Sequence, residues 1–174
     1  MSKLIPILIL VFLSFGCERY DFSYPIGESV DFYRLSNYKT LPNSRKIIDS
    51  TVKISDIKII SYNDILSYNK KTFSFKLSDK TSDYISDWEH NQLYGTAFAV
   101  TVDDSVIYTG YFWAGFSSTG CDWVTTDIID YSNDNNLTIN LGYPGLMLGD
   151  NIPDKRNDKK ILDVFKNDNK LIDK

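Results

Sequence analysis

The sequence predicts an α+β fold: an antiparallel sheet of about five to seven strands with two or three short helices packed on one face. Three observations lead there. Several runs alternate apolar and polar residues, the period of a half-buried strand. Of the 23 acidic residues 20 are aspartate, which favours caps and turns over helix interiors. Many tyrosines and isoleucines add strand preference.

The elements follow in chain order. Val30 to Leu35 alternates and reads as a strand. Lys39 to Ser50, with Pro42 and Asn43, reads as a loop, and Thr51 to Ile60 as a second strand. Asp64 is placed to cap a short helix through Tyr68. Thr72 to Leu77 sets Phe73, Phe75 and Leu77 against polar neighbours and is a strand. Ser82 or Asp83 caps a helix through His90, with Tyr84, Ile85 and Trp88 on one face, and Gly95 ends that unit.

Thr96 to Trp113 is the clearest signal. Phe98, Val100 and Val102 share a face, and Asp103-Asp104 makes a two-residue turn, since aspartate tolerates positive φ. The return strand puts Val106, Tyr108, Gly110 and Phe112 on one face and Ile107, Thr109, Tyr111 and Trp113 on the other. Both faces are bulky, so this strand is expected to be central or partly covered. Gly110 marks a bulge or a close backbone approach. Trp123 to Ile129 and Leu137 to Leu141 are further strands, and Gly142 to Pro153 is a loop. Asp154 or Asn157 caps a last helix with Ile161, Leu162, Val164 and Phe165 as its buried stripe. Leu171 and Ile172 finish as a short strand or a packed tail.

With 174 residues the chain has room for one core, and 43% apolar residues argue against wholesale disorder. A net charge of −4 argues against nucleic acid, whose binding needs a basic face. One histidine and two cysteines leave most metal sites and catalytic triads without their parts.

The N-terminus carries an address. Lys3 precedes an apolar run from Leu4 to Phe15, broken by Pro6 and Ser14. That run falls short of the roughly 20 residues that a spanning helix needs. Leu13-Ser14-Phe15-Gly16-Cys17 follows. A small residue before a cysteine after such a run resembles the lipobox of bacterial lipoproteins. The leucine stands four residues before the cysteine, where the pattern usually has three. The resemblance implies cleavage before Cys17 and a diacylglycerol on its thiol. The alternative is an ordinary signal peptide with a stray cysteine, or an uncleaved anchor. The expected organisation is a signal peptide over 1–16, a tether over 17–28 and one α+β domain over 29–174. Acylation of Cys17 leaves Cys121 alone, so no internal disulfide supports the fold.

The segment from Phe73 onward carries a second resemblance. Thr72 to Leu77 precedes a helix, and after Gly95 come Ala97 to Asp103 and Val106-Ile107-Tyr108. A late helix with Ile161 and Leu162 leads to Lys170-Leu171. This order is similar to the periplasmic head domain of SecD, the accessory protein of the Sec export channel, over roughly 100 residues. It implies a helix packed on an antiparallel sheet and carries no export function, because the SecD membrane helices are absent.

Candidate chemistry is sparse. Cys121 and His90 form a nucleophile–base pair only if the fold joins them, and no nucleophile-elbow pattern is present. Carboxylate pairs such as Asp103/Asp104 or Asp127/Asp130 arise readily in a chain so rich in aspartate. Asp150, Asp154, Asn157 and Asp158 form an oxygen-rich cluster without the EF-hand order, and helix capping explains most of it. No catalytic residue, metal or cofactor is assigned.

The candidate recognition surface is Phe112 to Trp123, with Trp113, Phe116, Ser117, Ser118 and Trp123 as its contact residues. Rings beside adaptable hydroxyls suit binding of a glycan, peptide or protein. Rings at alternating strand positions are equally what a core uses, and burial of both Trp113 and Phe116 would remove the site.

The resulting expectation is a non-catalytic binding or scaffolding domain held to the bacterial envelope, at the outer membrane, by its N-terminal lipid. Its partner is an envelope protein or glycan. The alternatives are an inhibitor or immunity lipoprotein that blocks a partner enzyme, and a hydrolase.

Overall fold

In the computed structural model the described residues are 28–89, 95–127, 135–146, 149 and 151–173. The expectations that rest on Cys17, His90, Asp130 and Asp150 lie outside them.

The Asp103-Asp104 turn is the centre from which the fold is read. Both residues have positive φ (47° and 62°), as a two-residue hairpin turn requires. The turn joins strands β5 (Ala97–Val102) and β6 (Ser105–Trp113). β1 (Val30–Asn37) lies antiparallel on the other side of β5, with Val30 opposite Val102. The remaining strands are β2 (Lys53–Ile60), β3 (Ile65–Asn69), β4 (Ser74–Leu77), β7 (Cys121–Asp127), β8 (Asn136–Tyr143) and β9 (Leu171–Ile172). Helices α1 (Asp79–Glu89) and α2 (Lys159–Asn167) complete the α+β fold. None of the described helices is long and apolar enough to cross a membrane.

The sheet departs from expectation in two ways. It has nine strands, in the order β2-β1-β5-β6-β7-β8-β4-β3-β9, and it is mixed. β6 pairs parallel with β7, and β3 parallel with β9. The two additional strands of note are β3, where a helix is expected, and β9, where strand and tail are both open.

The sheet also rolls. Four strands separate β1 from β4. In a flat sheet that distance is about 24 Å. The Phe32 and Phe75 ring centroids nevertheless stand 5.1 Å apart, edge to face. The curled inner face holds the main core, with Phe32, Phe75, Phe98 and Phe112 inside it. Phe165 of α2 packs against Tyr62, Tyr68 and Phe75 from the same side. The outer face of β1, β5, β6 and β7 carries a second cluster, Leu35, Ala97, Ala99, Tyr111, Trp113 and Cys121, joined by Ile47 from the β1–β2 connection. Tyr38, Val52 and Ile54 close over it. β6 is therefore central and covered on both sides, which explains its two bulky faces.

Local misreadings have local causes. Ile65 and Tyr68, three apart and both buried, mimic a helical stripe. They belong to β3, where a register shift against β4 between Ile65 and Ser67 turns both to the core. Tyr62–Asp64, just before, is a single 3-10 turn. In β6 the register shift falls opposite Val100/Thr101, where Val106 and Tyr108 are consecutive partners and Ile107 is the extra residue. Ile107 thereby joins Tyr108 in the main core and Val106 is left exposed.

Gly110 marks a close approach, and the bulge sits elsewhere. A Cβ there would stand 2.6 Å from Phe98 Cζ and 2.9 Å from the Val124 carbonyl oxygen. Gly110→Ala is expected to destabilise the fold by about 1–3 kcal/mol, the usual range for overpacking a tight core. Urea denaturation checks it, and an unchanged midpoint would contradict the packing described.

The caps shift by a few residues. α1 begins at Asp79, where the Ser78 hydroxyl accepts from the Thr81 N–H at 3.4 Å. Ile85 is buried but Tyr84 is exposed, so they do not form one buried face. Asp158 caps α2 by accepting from the Lys160 N–H at 2.9 Å. Asp154 instead binds the Arg156 side chain, and Asn157 accepts from the Tyr68 hydroxyl at 3.0 Å.

Candidate functional site

β6 ends at Trp113 and β7 starts at Cys121, so only Ala114–Gly120 links two parallel neighbours. This short crossover is pinned along its length. The Trp113 indole N–H donates to the Thr119 carbonyl at 3.1 Å. The Ser117 N–H donates to the Ala114 carbonyl at 2.9 Å. The Ser117 hydroxyl donates to the Thr119 carbonyl and accepts from the Thr119 N–H, each at 3.1 Å. The Gly115 N–H donates to Asp127 Oδ1 at 3.1 Å, and the Tyr143 hydroxyl donates to the Gly115 carbonyl.

The five residues expected to form the recognition surface separate. Trp113 is 1% exposed and belongs to the outer cluster, with the Arg45 guanidinium 5.0 Å from its ring centroid. Trp123 is half-buried against both clusters, and its indole N–H donates to the Thr109 hydroxyl at 3.1 Å. Ser117 is half-buried and Ser118 exposed. Phe116 is 77% exposed, the most exposed of the large apolar side chains described. Since Trp113 and Phe116 are not both buried, the loop keeps one ring for packing and presents the other.

The neighbouring β1–β2 connection is fastened to the same strand. Asp122 accepts from the Ser44 hydroxyl at 2.6 Å and from the Arg45 N–H at 2.7 Å. Burial acts to raise the Asp122 carboxyl, but the Ser44 and Arg45 donors outweigh it and hold it below the ordinary range. Burial raises the Tyr111 hydroxyl beneath, and Tyr38 beside it adds to the effect. These groups are structural supports.

Beside the crossover lies a cavity of about 290 Å³, whose lining includes Trp113, Gly115, Asp127, Asn140, Tyr143 and Pro144. This was not legible in the sequence, because Asn140 and Tyr143 come from β8 and meet the loop only through the sheet pairing. Two glycines shape it. A Cβ on Gly115 would run into the Asp127 carboxylate, and one on Gly142 (φ 77°) would meet the Gly145 carbonyl oxygen at 2.8 Å. Asp127 also borders a second space of about 40 Å³ with Ser82 and Ser86 of α1, room for little more than a water molecule.

The other candidates lead elsewhere. Cys121 is buried within the outer cluster. Asp103 accepts from the Ser29 N–H at 3.0 Å and Asp104 from the Tyr33 hydroxyl at 3.1 Å, so this pair fastens the start of β1 to the turn. Among the described residues no three His, Cys, Asp or Glu side chains gather as metal ligands. A scan of protein-family models and searches of curated proteins and of solved structures find no match to this chain.

Proposed function

We propose that the chain is a lipid-anchored cell-envelope protein whose folded domain binds or scaffolds a partner through the β6–β7 crossover. The observation that carries this reading is Phe116. Exposing a phenylalanine ring on a loop fixed by at least five hydrogen bonds costs solvation, and a partner that covers the ring recovers it. A preordered loop also loses little entropy on binding.

The placement is consistent with a tether. Ser29, just before β1, is bonded to Asp103 at the turn end of the sheet. Trp113 is at the other end of β6, about 26 Å away along the strand. A lipid on Cys17 would therefore hold the domain at the end of β6 opposite the Gly115–Asp127 shoulder. The partner is an envelope protein or glycan, at the outer membrane in this reading. A second reading has its own support in the same ring: a rigid protruding residue also suits an inhibitor or immunity lipoprotein that plugs a partner enzyme.

The test is Phe116→Ala in the full chain. Melting temperature should hold, since the ring is exposed and such surface changes usually stay within about 0.5 kcal/mol. Affinity for a stoichiometric partner isolated from envelope extract should fall by about tenfold to a hundredfold, the value of burying one such side chain. Undiminished affinity would remove the crossover from the interface. Loss of activity in a captured enzyme would select the inhibitor reading.

A further inference from the structure

We infer that the β1–β2 connection completes the recognition surface, and that the partner is a protein presenting acidic side chains beside apolar ones. This rests on the recognition reading and names the partner's chemistry.

The sequence supplies the charge. The chain carries a net −4, yet from Asn37 to Lys53 it has Lys39, Arg45, Lys46 and Lys53 against one acid, Asp49. Asp49 is taken up by Lys155 at 3.5 Å. Asp122, the acid that fastens this connection, faces Lys46 and offsets part of its charge. Lys39, Arg45 and Lys53 have no carboxylate within ion-pair distance among the described residues, and all three are exposed. Cations gathered in a chain of the opposite net sign make a local field that the total charge conceals.

The connection holds its shape without a partner. Thr40 bridges Ile47, the Leu41 N–H donates to the Lys46 carbonyl at 3.0 Å, and the Ile48 N–H donates to the Lys39 carbonyl at 2.9 Å. Ile47 is buried in the outer cluster, so this small ladder stands on the core. At its tip Asn43 takes a positive φ of 54° and the Ser44 N–H donates to the Leu41 carbonyl at 3.2 Å. The Arg45 guanidinium rests over the Trp113 ring. A guanidinium stacked on a ring keeps its N–H edge for a carboxylate, which it grips with two parallel hydrogen bonds. Fixing it in advance lowers the entropy lost on binding.

The connection and the crossover share their supports. Asp122, just past the crossover, holds Ser44 and Arg45. Trp113, just before it, holds the Thr119 carbonyl and carries Arg45 on its ring. Arg45 therefore stands where the two loops meet. Each loop presents a large apolar side chain, Leu41 at 46% exposure and Phe116 at 77%. An exposed aromatic ring and an arginine are what protein interfaces are enriched in. An acidic glycan would satisfy the cations and leave Leu41 uncovered, so the apolar pair favours a protein.

The test titrates defined polymers into the full chain in non-ionic detergent, with binding followed by calorimetry. The probes are a glutamate–tyrosine copolymer, polyglutamate and polygalacturonate. The copolymer should bind saturably although it and the chain share a net negative sign. Polyglutamate and polygalacturonate should each bind at least about tenfold more weakly, since neither covers the apolar side chains. Raising salt from about 0.05 to 0.5 M should weaken the copolymer about tenfold. Arg45→Gln and Phe116→Ala should each weaken it about tenfold, and Leu41→Ser about threefold. Should Arg45→Gln melt early, Lys39→Glu decides, because that side chain is exposed; it should weaken the copolymer at least about threefold. No saturable binding, binding indifferent to salt, or affinity indifferent to the cations or to Phe116 would each overturn the inference. Polygalacturonate binding as tightly as the copolymer would make the ligand an acidic glycan and overturn it too. If the copolymer fails while Phe116→Ala still weakens a captured partner, the crossover stands as the interface and the acidic partner is ruled out. If Phe116→Ala has no effect in either assay, both readings are lost.

Discussion

Phe165→Ala is expected to destabilise the domain by about 3–5 kcal/mol, the usual cost of deleting a fully buried phenylalanine. Phe165 is fully buried, and its ring centroid lies 5.5 Å from that of Tyr62, 5.4 Å from Tyr68 and 5.8 Å from Phe75. Those rings come from three segments: the turn after β2, then β3, then β4. Removing the fourth ring leaves a cavity that a rolled sheet cannot close without unrolling. α2 is only nine residues long, too short to persist without docking. β9 depends on the same helix end, because the Lys170 N–H donates to the Phe165 carbonyl at 2.7 Å. Typical domains have about 5–15 kcal/mol in all, so this loss is a large share. Urea denaturation should show a lower midpoint with an unchanged slope. Phe165→Leu should recover part of the loss. A loss below about 1 kcal/mol would mean that α2 is not part of the core.

Cys17→Ser should release the chain from membranes. Each buried methylene contributes about 0.8 kcal/mol, so a single acyl chain holds marginally while two or three hold nearly permanently. Removing the thiol removes every chain at once. The effect should therefore be all-or-none: loss of labelled palmitate and transfer from the membrane pellet to the soluble fraction. A tether over 17–28 spans at most about 40 Å when extended. A Cys17→Ser chain that still takes up labelled palmitate would contradict the anchor.

The α+β class was legible because its signals are local. The β5–β6 hairpin announces itself through alternation and the Asp103-Asp104 pair, both of which take the positive φ the turn needs. β1, β2 and the stripe of α2 follow from periodicity alone. What was not legible depends on pairing at a distance. The parallel β6–β7 pair is joined by seven residues, whereas parallel neighbours usually need a dozen or more, so sequence reasoning defaults to antiparallel. Bulges in β3 and β6 shift the side-chain period by one, which turned a strand into an apparent helix and exchanged Val106 for Ile107 in the core. Residue type marked the crossover as a candidate site. Which ring it would present did not follow from type, because Trp113 and Phe116 differ only in what covers them. The cavity was invisible for the same reason, since Asn140 and Tyr143 reach it from another strand.

The anchor is the claim on which the envelope location rests, and mass spectrometry of the chain extracted from bacterial membranes tests it directly. Digestion with trypsin should release Cys17–Arg19 as the first peptide, bearing a diacylglycerol on the thiol and no residue from 1–16. A peptide that retains the leader, or one with an unmodified Cys17, would contradict the account.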